Sequence, residues 1–294
     1  MPQSTAISSN CLTQSETNLL PVFKGASLHP CTNETAHHLV ARLHLPVALR
    51  CNTLCYYCEK RVLADDRYPI APGITSLLLS PQQALVKAGQ FLAHWGNDSV
   101  IGIAGPGEPL ANLETLQALR LIRNHYPHAR LCLCTNGLNL PEALNELKAL
   151  QIDNLSITIN GIEPEIVVQI QPWVWKGGNR FPGESGAQLL IKNQLDGIKP
   201  AVGMGIFVKV NSVVIPKLNG AHVEEIAACV SKLGARVFNP IPLIPRGKFE
   251  NLDPPSPEFM NQLRQKCRLH LSVFGSCKQC RADAEGIPGK ECRQ

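Results

Sequence analysis

The chain has 294 residues, of which 44% are hydrophobic and 17% charged, so it can bury a sizeable core and is not intrinsically disordered. Its formal net charge of +5 is spread along the sequence, which argues against a nucleic-acid binder with a basic stripe. No apolar run approaches the ~18 residues of a membrane span, and residues 1–17 lack the order of a signal peptide, so we expect no membrane association and a cytoplasmic location.

Short β-rich runs alternate with helical patterns along most of the chain. Strands are predicted at 44–49, 99–104, 129–134, 155–159, 206–215 and 236–244, and helices at 81–95, 113–123, 141–150, 187–198, 222–233 and 257–269. Right-handed crossovers would make the six strands parallel. This pattern predicts an α/β fold, either an open doubly wound sheet or a partial barrel, with its chemistry at the carboxyl ends of the strands.

Twelve cysteines are the unusual feature of the composition. Without a secretion signal a disulfide framework is unexpected, so metal or redox chemistry is the leading interpretation. Cys51, Cys55 and Cys58 directly follow the first predicted strand. Three thiolates in one loop can ligate three irons of a 4Fe–4S cluster and leave the fourth iron open to a cofactor. The alternatives are a zinc site completed by a distant ligand, or cysteines without a metal. The C-x3-C-x2-C spacing resembles that of the radical S-adenosylmethionine (SAM) superfamily.

A glycine-rich turn after the second predicted strand agrees with that resemblance. It contains Gly105, Pro106, Gly107 and Glu108. Glycine lets the backbone approach a ligand, and the carboxylate of Glu108 can pair with the ammonium group of SAM. The alternative is an ordinary Gly/Pro turn.

Further motifs narrow the resemblance to one family. They are His29-Pro-Cys31, Arg42-x-His44-x-Pro46, Leu131-Cys132-x-x-Thr135-Asn136-Gly137, Val208-Lys-Val-Asn-Ser-Val213 and Cys277-x-x-Cys280-Arg-Ala-Asp-Ala284. Together they resemble the NifB family, the radical SAM maturases of the nitrogenase cofactor, over roughly residues 11–285. The resemblance implies a partial (β/α)6 radical SAM barrel at 39–270. An N-terminal extension (1–38) and a C-terminal tail (271–294) would lie over its mouth, in a stand-alone form without the family's further product-binding domain.

The resemblance also implies a reaction on metal clusters. Besides a 4Fe–4S cluster bound with SAM, the family takes two further 4Fe–4S clusters as substrates. It fuses them, with a carbide from a SAM methyl group and an added sulfur, into the 8Fe-9S-C precursor. The implied partners are Fe–S cluster donors and the carrier or scaffold proteins of nitrogenase assembly.

Ligands for the two substrate clusters follow from the same resemblance. Cys11, Cys277 and Cys280 match one cluster, although the Cys-x2-Cys pair alone could be half of a zinc site. Cys31 and Cys132 match the other, together with a histidine nitrogen. His44 is our first choice for that nitrogen, with His29, His37 and His38 as rivals. For each histidine a hydrogen-bonded structural role is an equal alternative.

Polar residues at strand ends are candidates to bind SAM: Thr135, Asn136, Thr158, Asn160, Asn211 and Ser212. Satisfied polar groups inside a barrel are the alternative. Four cysteines have no metal role in this scheme. Cys229 and Cys267 fit as buried small hydrophobes, and Cys292 is unassigned. Cys134 shares a strand face with Cys132 and could be a spare ligand.

One stretch departs from the family pattern. The family has an acid, an arginine and an added cysteine between the triplet and the next helix, where this chain has residues 64–73 without the cysteine. Asp65, Asp66 and Arg67 are the candidates to replace them. Two competing functions therefore stay open, namely a radical SAM enzyme with auxiliary clusters that modifies a small molecule or peptide, and a non-enzymatic metal carrier or zinc-stabilised scaffold.

Overall fold

A computed structural model describes residues 28–63 and 71–291. Cys11, Asp65, Asp66, Arg67 and Cys292 lie outside the described residues. The elements in chain order are α1 (Glu34–His37), β1 (Arg42–His44), β2 (Arg61–Val62), β3 (Ile74–Thr75), α2 (Pro81–Trp95), β4 (Val100–Ile103), α3 (Leu113–His125), β5 (Arg130–Thr135), α4 (Leu140–Ala149), β6 (Asn154–Thr158), α5 (Pro164–Ile170), β7 (Trp173–Lys176), β8 (Asn179–Pro182), α6 (Gly183–Gly203), β9 (Phe207–Val214), α7 (Val223–Lys232), β10 (Val237–Pro242), α8 (Pro257–Cys267), β11 (Ser272–Val273), β12 (Glu285–Ile287) and β13 (Lys290–Glu291).

The main sheet has the strand order β11-β10-β9-β6-β5-β4-β1-β12-β13. From β1 to β11 every pairing is parallel, whereas β12 pairs antiparallel with β1 and β13 with β12. All six predicted strands are present, the first of them shifted, and the predicted helices follow in order, with the unpredicted α5 and the β7–β8 hairpin between β6 and α6. The expected α/β fold with a mostly parallel sheet is confirmed.

The first strand is shifted from its predicted position. It ends at His44, whereas the sequence pattern predicts 44–49. Pro46 lacks the N–H that a parallel ladder needs, and the chain turns there, with the Val47 amide donating to the Leu45 carbonyl (3.0 Å). The shift brings the following residues into the loop that carries Cys51.

The hairpin of β7 and β8 was missed by the sequence pattern. Gly177 and Gly178 connect its strands with φ of 58° and 81°, values that favour glycine and suit a two-residue hairpin turn. A Gly-Gly pair between β-forming residues was the available signal. The hairpin contacts the cysteine loop, since the Trp175 amide donates to the Asn52 carbonyl (2.7 Å).

Alternation along the strands separates two faces of the sheet. One face carries fully buried aliphatic residues that pack against the helices, such as Leu43, Ile101, Leu131, Leu155 and Val208. The opposite, interior face carries polar and sulfur-bearing side chains, namely His44, Cys132, Cys134, Ser156, Lys209, Asn211 and Asn239. The interior face is therefore where chemistry is positioned.

The segment 274–284 connects the two edges of the parallel sheet. It leaves β11, which pairs with β10 at one edge, and enters β12, which pairs with β1 at the other. Both Cys277 and Cys280 lie in this edge-to-edge segment. No helix in the described part of the chain is both long and apolar enough to cross a membrane.

Candidate active site

The cysteine triplet forms one compact loop after β1. Cys51, Cys55 and Cys58 are free and partly buried, and the Cys58 amide donates to the Cys55 carbonyl (3.0 Å). The loop rests on the end of α5, because the Tyr56 amide donates to the Ile170 carbonyl (3.0 Å). Burial raises the pKa of all three thiols, that of Cys58 to about 11. Since iron is bound by thiolates, loading the site must release protons.

Three thiols converging in one loop are the donor set that a 4Fe–4S cluster with an open iron requires. The glycine-rich turn that carries Glu108 packs directly against the start of the triplet loop. A Cβ on Gly107 would lie 2.3 Å from the Arg50 carbonyl oxygen, so only glycine lets these loops meet. The Glu108 amide also donates to the Arg50 carbonyl (2.8 Å). The residues present therefore fit the cluster and SAM.

Glu108 is buried between two strand-end loops. Its carboxylate accepts hydrogen bonds from the Leu110 amide (3.0 Å), the Thr135 hydroxyl and the Asn136 amide (2.7 Å). Burial raises the pKa of Glu108 to about 7, against the opposing effect of these hydrogen bonds. A nearby cation such as the SAM ammonium group would stabilise the ionised form.

Two of the predicted SAM-binding polar residues, Asn136 and Asn160, contact the triplet loop. Asn136 donates to the Asn52 side chain (2.7 Å), and Asn160 donates to the Tyr57 hydroxyl (3.0 Å). Thr158 and Asn211 are register neighbours on the interior face. Ser212 follows Asn211 on β9, so its side chain lies on the opposite face, where its hydroxyl is buried without a partner in the described structure. The geometry does not bring Ser212 to this site.

A second group of thiols lies deeper on the interior face, in two rows across the sheet. His44, Gly102 and Cys132 are register neighbours on β1, β4 and β5. Cys134, Ser156 and Lys209 form the next row on β5, β6 and β9. A Cβ on Gly102 would lie 2.4 Å from the Cys132 sulfur and 3.8 Å from the His44 ring. Glycine therefore leaves the space in which Cys132 and His44 approach each other.

Segments far apart in sequence complete this thiol group. Burial raises the pKa of Cys31; the nearby cations Lys209 and Arg42 oppose that rise, and the nearby thiols Cys277 and Cys134 add to it. Cys280, whose pKa burial raises to about 11, is influenced by Cys31 and Cys277. The structure thus brings together Cys31, Cys132, Cys277 and Cys280, with Cys134 beside them.

Three of the four candidate histidines form a hydrogen bond through Nδ1, and they differ in whether that nitrogen donates or accepts. His44 Nδ1 donates to the Arg281 carbonyl (3.0 Å), which leaves Nε2 without a proton, as in most metal-bound histidines. Burial lowers the pKa of His44 to about 4, so its ring is neutral at pH 7. His29 Nδ1 instead accepts from the Cys31 amide (3.0 Å), which places the proton on Nε2. His37 Nδ1 donates to the Pro30 carbonyl (2.7 Å), and His38 is exposed.

The tail that carries Cys277 and Cys280 is held by several contacts. Arg42 Nη2 donates to the Cys280 sulfur (3.1 Å) and Nη1 to the Gly286 carbonyl (2.7 Å). Asp283 accepts from the Ser76 amide (2.5 Å) and from the Arg281 side chain (2.8 Å). Burial opposes ionisation of Asp283, but these bonds hold its pKa below the usual range. The tail is therefore anchored by the residues of the Arg-Ala-Asp-Ala motif.

Sequence reasoning missed the two buried cations of the interior, Arg42 and Lys209. The available signal was a charge inside the apolar run Val208-Lys-Val210. It also missed the group Glu163, His222 and Glu225, whose potential ligand atoms lie within 4.8 Å of one another. Both nitrogens of His222 have hydrogen-bonding neighbours there, the Ile162 amide (3.1 Å) and Glu225 (3.0 Å), which accounts for its position without a metal.

Comparison with known proteins agrees with this geometry. The Radical SAM superfamily matches residues 45–230. The FeMo cofactor biosynthesis protein NifB of Methanocaldococcus jannaschii is 39% identical over 260 residues, which cover 88% of this chain and 86% of that protein. The chain belongs to the NifB family of radical SAM proteins. Its NifB relatives from Klebsiella pneumoniae and Chlorobaculum tepidum are 39% and 40% identical over 92% and 89% of this chain, which spans only 58% and 62% of their length.

Solved structures support the fold of this NifB-family chain. A radical SAM methyltransferase from Sphaerobacter thermophilus matches 80% of this chain and 64% of its own with a TM-score of 0.53 at 20% identity. Membership of the radical SAM superfamily confirms the predicted cofactors, a 4Fe–4S cluster and SAM. The individual site residues stay predictions.

Proposed function

We propose that this NifB-family chain fuses two 4Fe–4S substrate clusters into the carbide-containing 8Fe-9S-C precursor of the nitrogenase cofactor. The observation that carries the proposal is the thiol group of the barrel interior. Cys31, Cys132, Cys277 and Cys280 come from three distant segments and meet on the same interior face that ends at the SAM loop. Auxiliary clusters would occupy such thiols in a radical SAM enzyme that modifies an organic molecule as well, so the reaction products separate the two functions.

The triplet loop would hold the radical SAM cofactors. Cys51, Cys55 and Cys58 supply thiolates to the cluster, and Glu108 with the backbone of residues 105–107 orients the ammonium group of SAM. When bound, these cofactors supply the methyl group and the 5′-deoxyadenosyl radical for the reaction. Thr135, Asn136, Thr158, Asn160 and Asn211 line the same loops and bind the remaining polar groups of SAM.

The substrate clusters would be held by two ligand sets. Cys277 and Cys280 bind one cluster, together with Cys11 from outside the described residues. Cys31, Cys132 and His44 bind the other. The His44 hydrogen bond to the Arg281 carbonyl supports this role, because it leaves a neutral Nε2 beside Cys132. Imidazole dissociates from iron more readily than thiolate does, which suits a cluster that must be handed on.

The proposal also includes partner proteins and a cellular location. The chain would receive clusters from Fe–S donor proteins and pass its product to a carrier or scaffold protein of nitrogenase assembly. Its ten described cysteines are free, and they need a reducing compartment to stay so. The proposal therefore includes a cytoplasmic location.

Iron and acid-labile sulfide analysis of the anaerobically purified protein tests the proposal. Three clusters correspond to about twelve irons per chain, whereas the triplet cluster alone gives about four and contradicts the proposal. Zinc at Cys277 and Cys280 without SAM cleavage would favour a metal carrier or zinc-stabilised scaffold.

A second experiment incubates the loaded protein with SAM and a reductant. The proposal expects both 5′-deoxyadenosine and S-adenosylhomocysteine, because one SAM gives a radical and another gives its methyl group. Neither product would defeat the proposal. A modified small molecule or peptide, with no carbide-containing cluster, would favour the alternative enzyme.

A further inference from the structure

Lys209 is a buried cation in the centre of the barrel interior. Its side chain lies on β9, in one row with Ser156 and Cys134, and the residue is only 4% exposed. Its Nζ donates to the Cys31 carbonyl (3.1 Å) and lies 5.8 Å from the centre of the Phe274 ring. Within residues 28–63 and 71–291, no carboxylate forms an ion pair with it.

A buried ammonium group without an anion is costly, so a protein that keeps one has a partner for its charge. The groups within electrostatic range of Lys209 include the thiols of Cys31, Cys132 and Cys134 and the imidazole rings of His29 and His44, none of which is an anion. As neutral groups they do not balance the ammonium charge. Thiolates that held an iron–sulfur cluster at Cys31 and Cys132 would form with it an anion beside this lysine.

Arg42 is a second buried cation on the interior face. It lies on β1, is 1% exposed and donates from Nη2 to the Cys280 sulfur (3.1 Å). Arg42 is also within electrostatic range of Cys31 and His44, so both proposed ligand sets have buried cations near them. Two anionic clusters repel each other as they approach for fusion, and fixed cations between thiolate ligands reduce that repulsion.

We propose that Lys209 is a positioning residue that supplies the fixed counter-charge of the substrate cluster held at Cys31 and Cys132. This inference rests on the proposed function, because it requires a cluster at that site. It assigns to Lys209 two effects, a raised reduction potential of the cluster and a tighter hold on it, both of which come from the positive charge.

The test compares Lys209→Met, which removes the charge at similar size, with Lys209→Arg, which keeps it. Lys192→Met is the matched control, because Lys192 is exposed on α6 and pairs with Asp196 on the surface. Each protein is purified anaerobically and studied without clusters and after reconstitution. The measurements are iron content, thermal unfolding and the midpoint potentials of the clusters by EPR-monitored titration.

We expect the order of thermal stability between Lys209→Met and the unmodified chain to reverse when clusters are loaded. Without clusters, Lys209→Met is at least as stable as the unmodified chain, because an uncompensated buried charge has been removed. With clusters, it is less stable, because loading stabilises it less than it stabilises the unmodified chain. The midpoint potential of one substrate cluster falls in Lys209→Met and is restored in Lys209→Arg. Lys192→Met matches the unmodified chain in every measurement.

The iron content of the unmodified chain distinguishes failure of the proposed function from failure of the role of Lys209. If it binds about four irons, the proposed function fails and the role of Lys209 fails with it. If it binds about twelve irons but Lys209→Met keeps the same potentials and gains as much stability on loading, only the counter-charge role is overturned. Lower stability of Lys209→Met both without and with clusters, with unchanged potentials, would show a purely structural lysine and also overturn the proposal.

Discussion

The triplet loop and the interior face both present cysteine thiols, but the two sets of cysteines are brought together in different ways. Cys51, Cys55 and Cys58 lie within eight consecutive residues, and local hydrogen bonds arrange them. The interior thiols come from an N-terminal segment, a strand and the edge-to-edge segment 274–284, so only the complete sheet brings them together. Because the loop is arranged locally, we expect it to form without the interior site: changes to the sheet and tail should spare SAM cleavage, whereas changes to the loop should stop all chemistry.

The largest expected loss of activity comes from a substitution in the triplet loop. Cys55→Ala removes a proposed ligand of the SAM-binding cluster, so we expect it to abolish both 5′-deoxyadenosine formation and cluster fusion. Cys277→Ala is the matched change at the other site, and it should retain 5′-deoxyadenosine formation while fusion stops. Product chromatography and iron analysis check both variants. SAM cleavage by Cys55→Ala would show that the triplet is misassigned.

A methyl group at Gly102 tests the interior site from within the sheet. The added Cβ would meet the Cys132 sulfur at 2.4 Å, so Gly102→Ala should displace this ligand and cost ~1–3 kcal/mol of stability through overpacking. We expect lower iron content with SAM cleavage retained. Gly203→Ala is the control, because nothing lies within 4 Å of the position of its Cβ. Equal iron content in the two variants would show that Cys132 does not hold a cluster.

Burial of Glu108 makes the free energy of unfolding depend on pH. Its pKa is raised from 4.5 to about 7 by burial, so between these values the folded chain holds a proton that the unfolded chain has released. Stability contributed by this group is therefore present below pH 4.5 and lost as the pH rises through the window. Relative to Glu108→Gln, the unmodified cofactor-free chain should lose at most about 3 kcal/mol between pH 4.5 and 7. Urea unfolding at a series of pH values measures this difference.

A difference that stays constant with pH would contradict the raised pKa of Glu108. Saturating SAM should flatten the same profile if its ammonium group pairs with the carboxylate.

The smallest effect separates two adjacent residues of β9. Ser212 faces away from the interior with an unpartnered hydroxyl, so Ser212→Ala should change stability by no more than about 1 kcal/mol and leave SAM affinity unchanged. Asn211→Ala should weaken SAM binding, because Asn211 lies on the interior face. Equilibrium binding of SAM to the loaded protein measures both. Weaker binding in Ser212→Ala would mean that the strand alternation has been misjudged.

The sequence was sufficient for parts of the molecule whose pattern is local. The helix predicted at 81–95 and the strand predicted at 99–104 depend on side-chain periodicity, and both are present. The triplet was predictable because its spacing lies within one loop. Thr135 and Asn136 were predictable as strand-end residues, although their hydrogen bonds to Glu108 were not.

Features set by strand register could not be predicted in this way. Strands β11 and β12 are two and three residues long and form because neighbouring strands offer free edges. The approach of Cys31 to Cys277 depends on where those edges lie. From the sequence alone, Lys209 would be predicted as an exposed charge. Only its register with Ser156 and Cys134 shows that it is buried among thiols.

The edge-to-edge segment 274–284 also bears on aggregation. An uncovered edge strand offers unpaired backbone groups to other chains, and β12 covers that edge of β1 through two register pairs. The residues proposed to bind iron immediately precede this protective strand. Damage to the cluster by oxygen would loosen the cover of the sheet edge as well as remove a substrate, so exposure to air should appear as light scattering from self-associated protein before unfolding is complete.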